Sequence, residues 1–382
     1  MGKAKSRANG DGDVYPRKNK AGEITSYRGA YFGPDGKRRY VSGKTKTEAR
    51  NALAKARSDA AGGIVYDAGT TTLNTYLDQW LEDSVKNVVR QTTYERYETL
   101  CRVHIKPALG RVKLKSLTPD HVRKLYRDKL ASGFSSRTVN YLHVTIHKAL
   151  GQAVSDGIIG RNVARGVKSP RPGKAEIKPL SSDQAKTLVK TAKDIDDRYQ
   201  ALYLVALHTG MRSGEMLALR WDDVDLNGEK GSVQVRRTLS ETRIGRLYEL
   251  PKSGKGRSIK LSKKATDALK SHKRRQAEER LAAGTLWKDQ DLVFPTTVGT
   301  PTSATNLLGR HFKPLLKEAE LPNARLHDLR HTCATVLLIA GKHPKYVQEL
   351  LGHASISITL DTYSHIIEGM DGGLGDAMDE AL

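Results

Sequence analysis

Five side chains in the second half of the chain have the types and the order needed to move a phosphoryl group onto the protein itself. Arg212 sits in Thr209-Gly210-Met211-Arg212-Ser213-Gly214-Glu215, His327 and Arg330 in His327-Asp328-Leu329-Arg330-His331-Thr332, His353 in Leu351-Gly352-His353, and Tyr363 in Leu360-Asp361-Thr362-Tyr363-Ser364-His365. Breaking a DNA strand without hydrolysis requires a nucleophile that keeps the phosphate bond energy, and a tyrosine does so as a phosphotyrosine ester. Its free pKa is about 10, so a base or a cationic field has to help. Charge builds on the equatorial oxygens in the transition state, where fixed cations lower the barrier. The planar fork of arginine suits that task better than lysine. The leaving 5′-oxygen needs a proton, which a lysine or a histidine can supply.

Each residue alone has an ordinary structural explanation. Arg212 could be a cap, His327 a helix start beside a dipole-favoured Asp328, His353 a helix-end residue and Tyr363 a buried aromatic. Their joint order in a basic chain is what points to chemistry. His327 and Arg330, three apart, share a face if the segment is helical. The Arg212 turn leads into a helix over Glu215–Leu219. Glu215 is expected to buttress Arg212 or that helix, His331 and His365 to stand behind the phosphate contacts, and Cys333 to belong to the core.

The composition agrees with a nucleic-acid partner. The chain carries 65 Lys and Arg against 42 Asp and Glu, a net charge of +23, and such an excess favours polyanions by counterion release. With 38% hydrophobic residues the chain is globular rather than disordered. No apolar run approaches the roughly 18 residues of a membrane span. The basic N-terminus lacks the apolar stretch of a secretory signal. Cys101 and Cys333 are far apart and carry no metal-ligand spacing, so reduced thiols in a cytoplasmic protein are expected.

The elements that must position the five residues read as a multidomain α+β chain. Residues 1–66 hold 15 Lys and Arg against six Asp and Glu. Ser26–Phe32 and Lys37–Val41 read as strands joined by the Gly33-Pro34-Asp35-Gly36 turn. Thr45 and Glu48 form a capping box for a helix that Gly62-Gly63 ends. This small basic sheet with one helix suits a DNA groove. Residues 67–165 read as all-α. Leu73, Tyr76, Leu77, Trp80 and Leu81 share a helix face, Thr118-Pro119 opens a helix rich in Arg and Lys, and another helix runs over about residues 136–154. Residues 166–179 read as a linker. Ser181 and Gln184 cap the first helix of a mainly α domain over 180–382, which also has strands at Val233–Leu239 and Arg257–Leu261.

At this point the C-terminal domain resembles the catalytic domain of the tyrosine recombinase, or phage integrase, family, whose Arg…Lys…His-x-x-Arg…His…Tyr set surrounds a scissile phosphate. The four segments quoted above match that pattern at Arg212, His327, Arg330, His353 and Tyr363. The family's lysine lies on a hairpin, and Leu250–Ile259 resembles it and points to Lys252, with Lys255 three residues away on the same turn. By the resemblance, the middle domain is a helical core-binding domain, and the N-terminal unit is an arm-type DNA-binding domain of the temperate-phage or integrative-element kind.

The resemblance implies a site-specific recombinase. Arg212 and Arg330 would clamp the phosphate while Tyr363 attacks to give a 3′-phosphotyrosine. Lys252 would protonate the 5′-oxygen, His327 would accept the tyrosine proton, and His353 would bond the phosphate. No cofactor and no metal are expected. The implied partners are double-stranded DNA at core and arm attachment sites, a homotetramer on that DNA, and an excision factor or host DNA-bending protein. After Tyr363 come Glu368, Asp371, Asp376, Asp379 and Glu380 and no Lys or Arg. That acidic tail is expected to dock on a neighbouring subunit's basic catalytic domain. Two other classes fit part of this. A type IB topoisomerase shares the chemistry without synapsis, and an architectural DNA-binding protein shares the charge without the site.

Overall fold

The computed structural model describes residues 14–19, 21–32, 38–61, 70–173, 179–252, 254–367 and 374–381. The chain divides into two units, residues 1–174 and 175–382. The expected Gly33–Gly36 turn, the Gly62-Gly63 helix stop, Ser253, the His365 side chain and tail residues 368–373 lie outside the described residues.

The first unit begins with an antiparallel sheet in the order β1 (Val14–Lys18), β2 (Ile24–Phe32), β3 (Arg38–Gly43). Alternation gives it two faces. Tyr27, Tyr31 and Val41 pack with Val14, Ala49 and Leu53 under helix α1 (Lys46–Ala61). The close approach is made at Gly29, where a Cβ would stand 3.0 Å from Leu53 Cδ2. On the other face Arg28 stacks over the Tyr40 ring at 3.8 Å. The α1 start is the expected capping box, with Glu48 N donating to Thr45 Oγ1 at 3.1 Å. Strand β1 was not expected. It contains Pro16, which breaks a strand pattern but is tolerated on an edge.

The helical part contains α2 (Leu73–Gln79), α3 (Gln91–Leu100), α4 (Lys106–Leu109), α5 (Pro119–Ala131) and α6 (Ser136–Ser155). Leu73, Tyr76, Leu77, Trp80 and Leu81 all enter its core, as their spacing predicts. Thr118 caps α5 ahead of Pro119. Val167 joins the same core, and Ser169 Oγ donates to Asn140 Oδ1 at 2.9 Å. Ordered packing therefore continues into the stretch read as linker, because an apolar Val167 gains more from burial than exposure would allow.

The second unit is mainly helical. Its helices are α7 (Ser182–Asp194), α8 (Gln200–Thr209), α9 (Ser213–Leu217), α10 (Lys263–Ala283), α11 (Ala304–Leu307), α12 (Lys313–Glu318), α13 (Leu326–Ile339), α14 (Pro344–Leu351), α15 (Ile356–Ile367) and α16 (Leu374–Ala381). Between α9 and α10 lie a sheet in the order β4 (Val224–Asp225), β5 (Ser232–Val235), β8 (Arg257–Lys260) and a hairpin of β6 (Thr238–Thr242) with β7 (Gly245–Glu249). The single strand expected at Val233–Leu239 is thus two. It breaks where Arg236 and Arg237 turn to the buried Asp223 carboxylate, at 3.4 and 3.2 Å. Among the described residues no helix is long and apolar enough to cross a membrane.

Candidate active site

Two glycines set the floor of the site. Gly210 ends α8 in the left-handed conformation, φ 60°, where a Cβ would be strained and would also lie 2.4 Å from Leu351 Cδ2. A Cβ on Gly214 would lie 2.6 Å from Thr238 Oγ1 and 2.7 Å from the Leu239 carbonyl. These absent side chains let the Arg212 turn sit directly on β6 and on the end of α14.

Arg212 stands at the N-cap of α9. Its backbone N–H donates to Glu215 Oε2 at 3.0 Å and its Nη1 to Oε1 at 2.9 Å. The same buried carboxylate receives Arg257 Nη1 at 3.2 Å and Nη2 at 2.8 Å. Arg257 Nε also donates to the Leu350 carbonyl at 2.9 Å, next to the left-handed Gly352 that precedes His353. Glu215 therefore couples the Arg212 turn, strand β8 and the end of α14. Burial pushes its carboxyl up, but the hydrogen bonds and charges of Arg257 and Arg212 outweigh that and hold it below the usual range.

Glu215→Gln keeps the shape and removes the charge. Breaking a buried ion pair costs about 3–5 kcal/mol, so the variant should be destabilised by that order in urea unfolding at neutral pH. A depressed folded-state pKa contributes stability that is full above the unfolded carboxylate value of about 4.3 and is lost as pH falls through the folded value. The stability gap between wild type and variant should accordingly narrow in acid. A gap below about 1 kcal/mol at neutral pH would show that Glu215 does not hold the site together.

Arg330 lies inside the domain, 2% exposed. Its Nη1 donates to the carbonyls of Gly210 and Leu351, both at 2.7 Å. Its Nη2 is buried and makes no hydrogen bond. Burial, then the nearby Arg212 cation, pulls its pKa down to about 9. Two guanidiniums, Arg212 and Arg257, thus share one carboxylate, and the third, Arg330, has a buried donor without an acceptor, a cost of about 1–3 kcal/mol. An oxyanion would relieve both.

The histidines ring this charge. His327 and His353 are each held down to about 4, by burial first, then for His327 by His331 and Arg330 and for His353 by Arg330 and Arg212. Both are neutral in this state and available to bond or accept protons. His353 Nδ1 is paired with Thr359 Oγ1 at 2.8 Å. Tyr363, 1% exposed, packs its ring with Ala334, Leu338, Val347 and Leu351. Burial pushes its hydroxyl up to about 12, against a lowering by Arg330.

Sequence reasoning gave the tyrosine proton to His327. The group bonded to the hydroxyl is His331, Nδ1 to Oη 2.8 Å, and His327 meets the His331 ring edge-on at 5.1 Å. The structure thus brings Arg212, His327, Arg330, His353 and Tyr363 together and adds Arg257 and His331. Lys252 is exposed on the connection between β7 and β8. The sequence marks His331, one residue past Arg330, only as a residue behind the phosphate contacts, while nothing local marks Arg257.

Comparison with known proteins identifies the family and the fold. A family model described as Phage integrase family matches residues 178–369, and one described as Phage integrase, N-terminal SAM-like domain, matches residues 72–131. The chain is 31% identical over 350 residues to a protein named tyrosine recombinase XerC-like from Caldanaerobacter subterraneus, covering 86% of this chain and 88% of that one. An integrase of Streptomyces ambofaciens is 32% identical over 375 residues, with 94% and 93% covered. Among solved structures, the Tn1549 transposon integrase in complex with a circular intermediate DNA shares the fold at TM-score 0.67 and 21% identity, with 82% of this chain and 100% of that one covered. A lambda integrase tetramer bound to a Holliday junction does so at TM-score 0.55 and 18% identity, with 94% and 96% covered.

Proposed function

We infer the reaction from a firm premise: this chain belongs to the phage integrase family of tyrosine recombinases, and it is a site-specific DNA recombinase that integrates or excises DNA. The observation that carries the chemistry is the buried, unpartnered Arg330 Nη2 in a three-arginine cluster beside a buried tyrosine. The scissile phosphate takes that place. Arg212 and Arg330 bind its non-bridging oxygens, and His353 adds a hydrogen bond. Tyr363 Oη attacks phosphorus in line, the bond to the 5′-oxygen breaks, and a 3′-phosphotyrosine forms. Lys252, exposed on its connection, reaches the leaving oxygen and gives it a proton. His327 lies on the proton path of the tyrosine. A 5′-hydroxyl from the partner strand reverses the steps and regenerates Tyr363, so the ester conserves the bond energy and the reaction needs no cofactor.

Residues 1–66 act as the arm-type domain, 67–165 as the core-binding domain, 166–179 as the linker and 180–382 as the catalytic domain. The sheet face bearing Arg28 and Tyr40, opposite α1, is the arm-site surface. The working form is a homotetramer on paired sites in the host bacterial cytoplasm at the nucleoid, with the acidic tail of one subunit docked on the next and an excision factor or host bending protein setting direction. The lambda integrase tetramer on a Holliday junction supports the assembly by its fold.

A supercoiled plasmid separates this reading from a topoisomerase. The protein should recombine plasmids carrying the attachment sites that border its element and leave a plasmid without them supercoiled. Relaxation of the site-free plasmid at a comparable rate would favour strand swivelling over site-specific exchange.

A further inference from the structure

We propose that His331 is the catalytic group that accepts the proton of Tyr363 at strand cleavage and that holds the hydroxyl in place before DNA arrives. The inference rests on Tyr363 being the nucleophile and deepens that reading.

The geometry is direct. His331 and Tyr363 stand 32 residues apart in sequence and are joined by the packing of α13 on α15. Nδ1 lies 2.8 Å from Oη, within the reach required of a general base. The ring planes meet at 60°. A half-buried imidazole bonded to the hydroxyl of a buried tyrosine has one obvious proton to accept. His327, the next ring along the same path, contacts His331 rather than the hydroxyl.

The charges around His331 favour its neutral, accepting form. On α13 and its cap it faces His327, Asp328, Arg330 and Arg325, from α15 Tyr363, and from the turn after α14 His353. Burial comes first in lowering its pKa, Asp328 opposes, and Arg330 and Arg325 add to the lowering. With the proton on Nε2, Nδ1 is free to accept from the hydroxyl.

The step balances. The Oη–H proton passes to Nδ1 and leaves an imidazolium, the Oη–P bond forms, the P–O5′ bond breaks, and the leaving oxygen takes its proton from Lys252. On rejoining, the imidazolium returns its proton to Oη as the Oη–P bond breaks. The nearby His327 can share the charge. A buried nucleophile whose proton is already bonded to its acceptor is protected from solvent and fires only when a phosphate fills the arginine cluster.

The test uses the full chain with a nicked core-site duplex taken from the border of its element, in single-turnover covalent-complex formation over about pH 5 to 9. His331→Asn puts an amide oxygen near the Nδ1 position and keeps an acceptor without a base. The proposal expects it to fold and bind DNA as wild type does and to lose about 10²–10⁴-fold in cleavage rate. It also expects the fall of wild-type cleavage at low pH, where the imidazole is protonated, to vanish in the variant. His331→Gln serves as the second variant should the first not fold. A duplex with sulfur in place of the scissile 5′-oxygen removes the need for an acid. It should restore Lys252→Ala and leave His331→Asn slow. Wild-type-like rates and pH profile in His331→Asn, or its rescue by sulfur, would overturn the assignment. A covalent complex formed by Tyr363→Phe would instead remove the premise about the nucleophile and leave His331 without a proton to accept.

Discussion

Tyr363→Phe should bind attachment-site DNA as wild type does and form covalent complexes at least about 10⁴-fold more slowly, the scale on which removal of an enzyme nucleophile acts. The two outcomes separate because of where the ring sits. Its edges pack with Ala334, Leu338, Val347 and Leu351, and phenylalanine keeps all of that contact. Only Oη is lost, with one hydrogen bond to a half-buried His331, a stability cost of about 1 kcal/mol. A fold defect therefore cannot account for lost cleavage. The readout is a detergent-resistant protein–DNA band on a nicked site, beside a mobility shift on the same duplex.

Arg330→Lys is the second large effect. It keeps a positive charge and discards the fork. Lysine would present one ammonium where the guanidinium now reaches two carbonyls at 2.7 Å and aims a third donor into the cluster. A cation that stabilises the charge of phosphoryl transfer is worth about 10³–10⁵-fold in rate, and the lysine should recover little of it. The cleavage rate is expected to fall by that order, with DNA affinity changed by less than about tenfold because the charge is kept and Arg330 is one of 65 Lys and Arg in a strongly basic chain. The loss of the tethers to Gly210 and Leu351 should also lower stability by about 1–3 kcal/mol. The rate must therefore be measured well below the variant's melting temperature. Cleavage within tenfold of wild type would mean that Arg330 serves structure alone.

Much of the site was legible in the sequence because its parts are local. Arg212 and Glu215 are three apart, and a helix start brings them together by geometry alone. His327, Arg330 and His331 ride one helix, so spacing gives their faces. The left-handed Gly352 before His353 follows from glycine at a helix end. The capped helices at Thr45, Thr118 and Ser181 were equally readable. What escaped depends on distant packing. Arg257 meets Glu215 across 42 residues and a strand pairing, and no periodicity in Arg257–Lys260 marks it as a brace. The His331–Tyr363 bond requires α13 and α15 to pack, and a pattern match to His-x-x-Arg directs attention to the wrong imidazole for that contact. Strand limits failed for similar reasons. Arg236 and Arg237 read as part of a strand until Asp223, on the turn before β4, claims them.

In the proposed reaction Tyr363 Oη carries the broken strand. The most direct measurement is to trap the covalent complex on nicked attachment-site DNA, digest protein and DNA, and identify the nucleotide-bearing peptide by mass spectrometry. A 3′-phosphonucleotide ester is expected on Tyr363 within residues 346–367, and no adduct with Tyr363→Phe. An ester on Tyr346, the exposed tyrosine of α14, or a broken strand that ends in a free 3′-phosphate with no peptide attached, would contradict it.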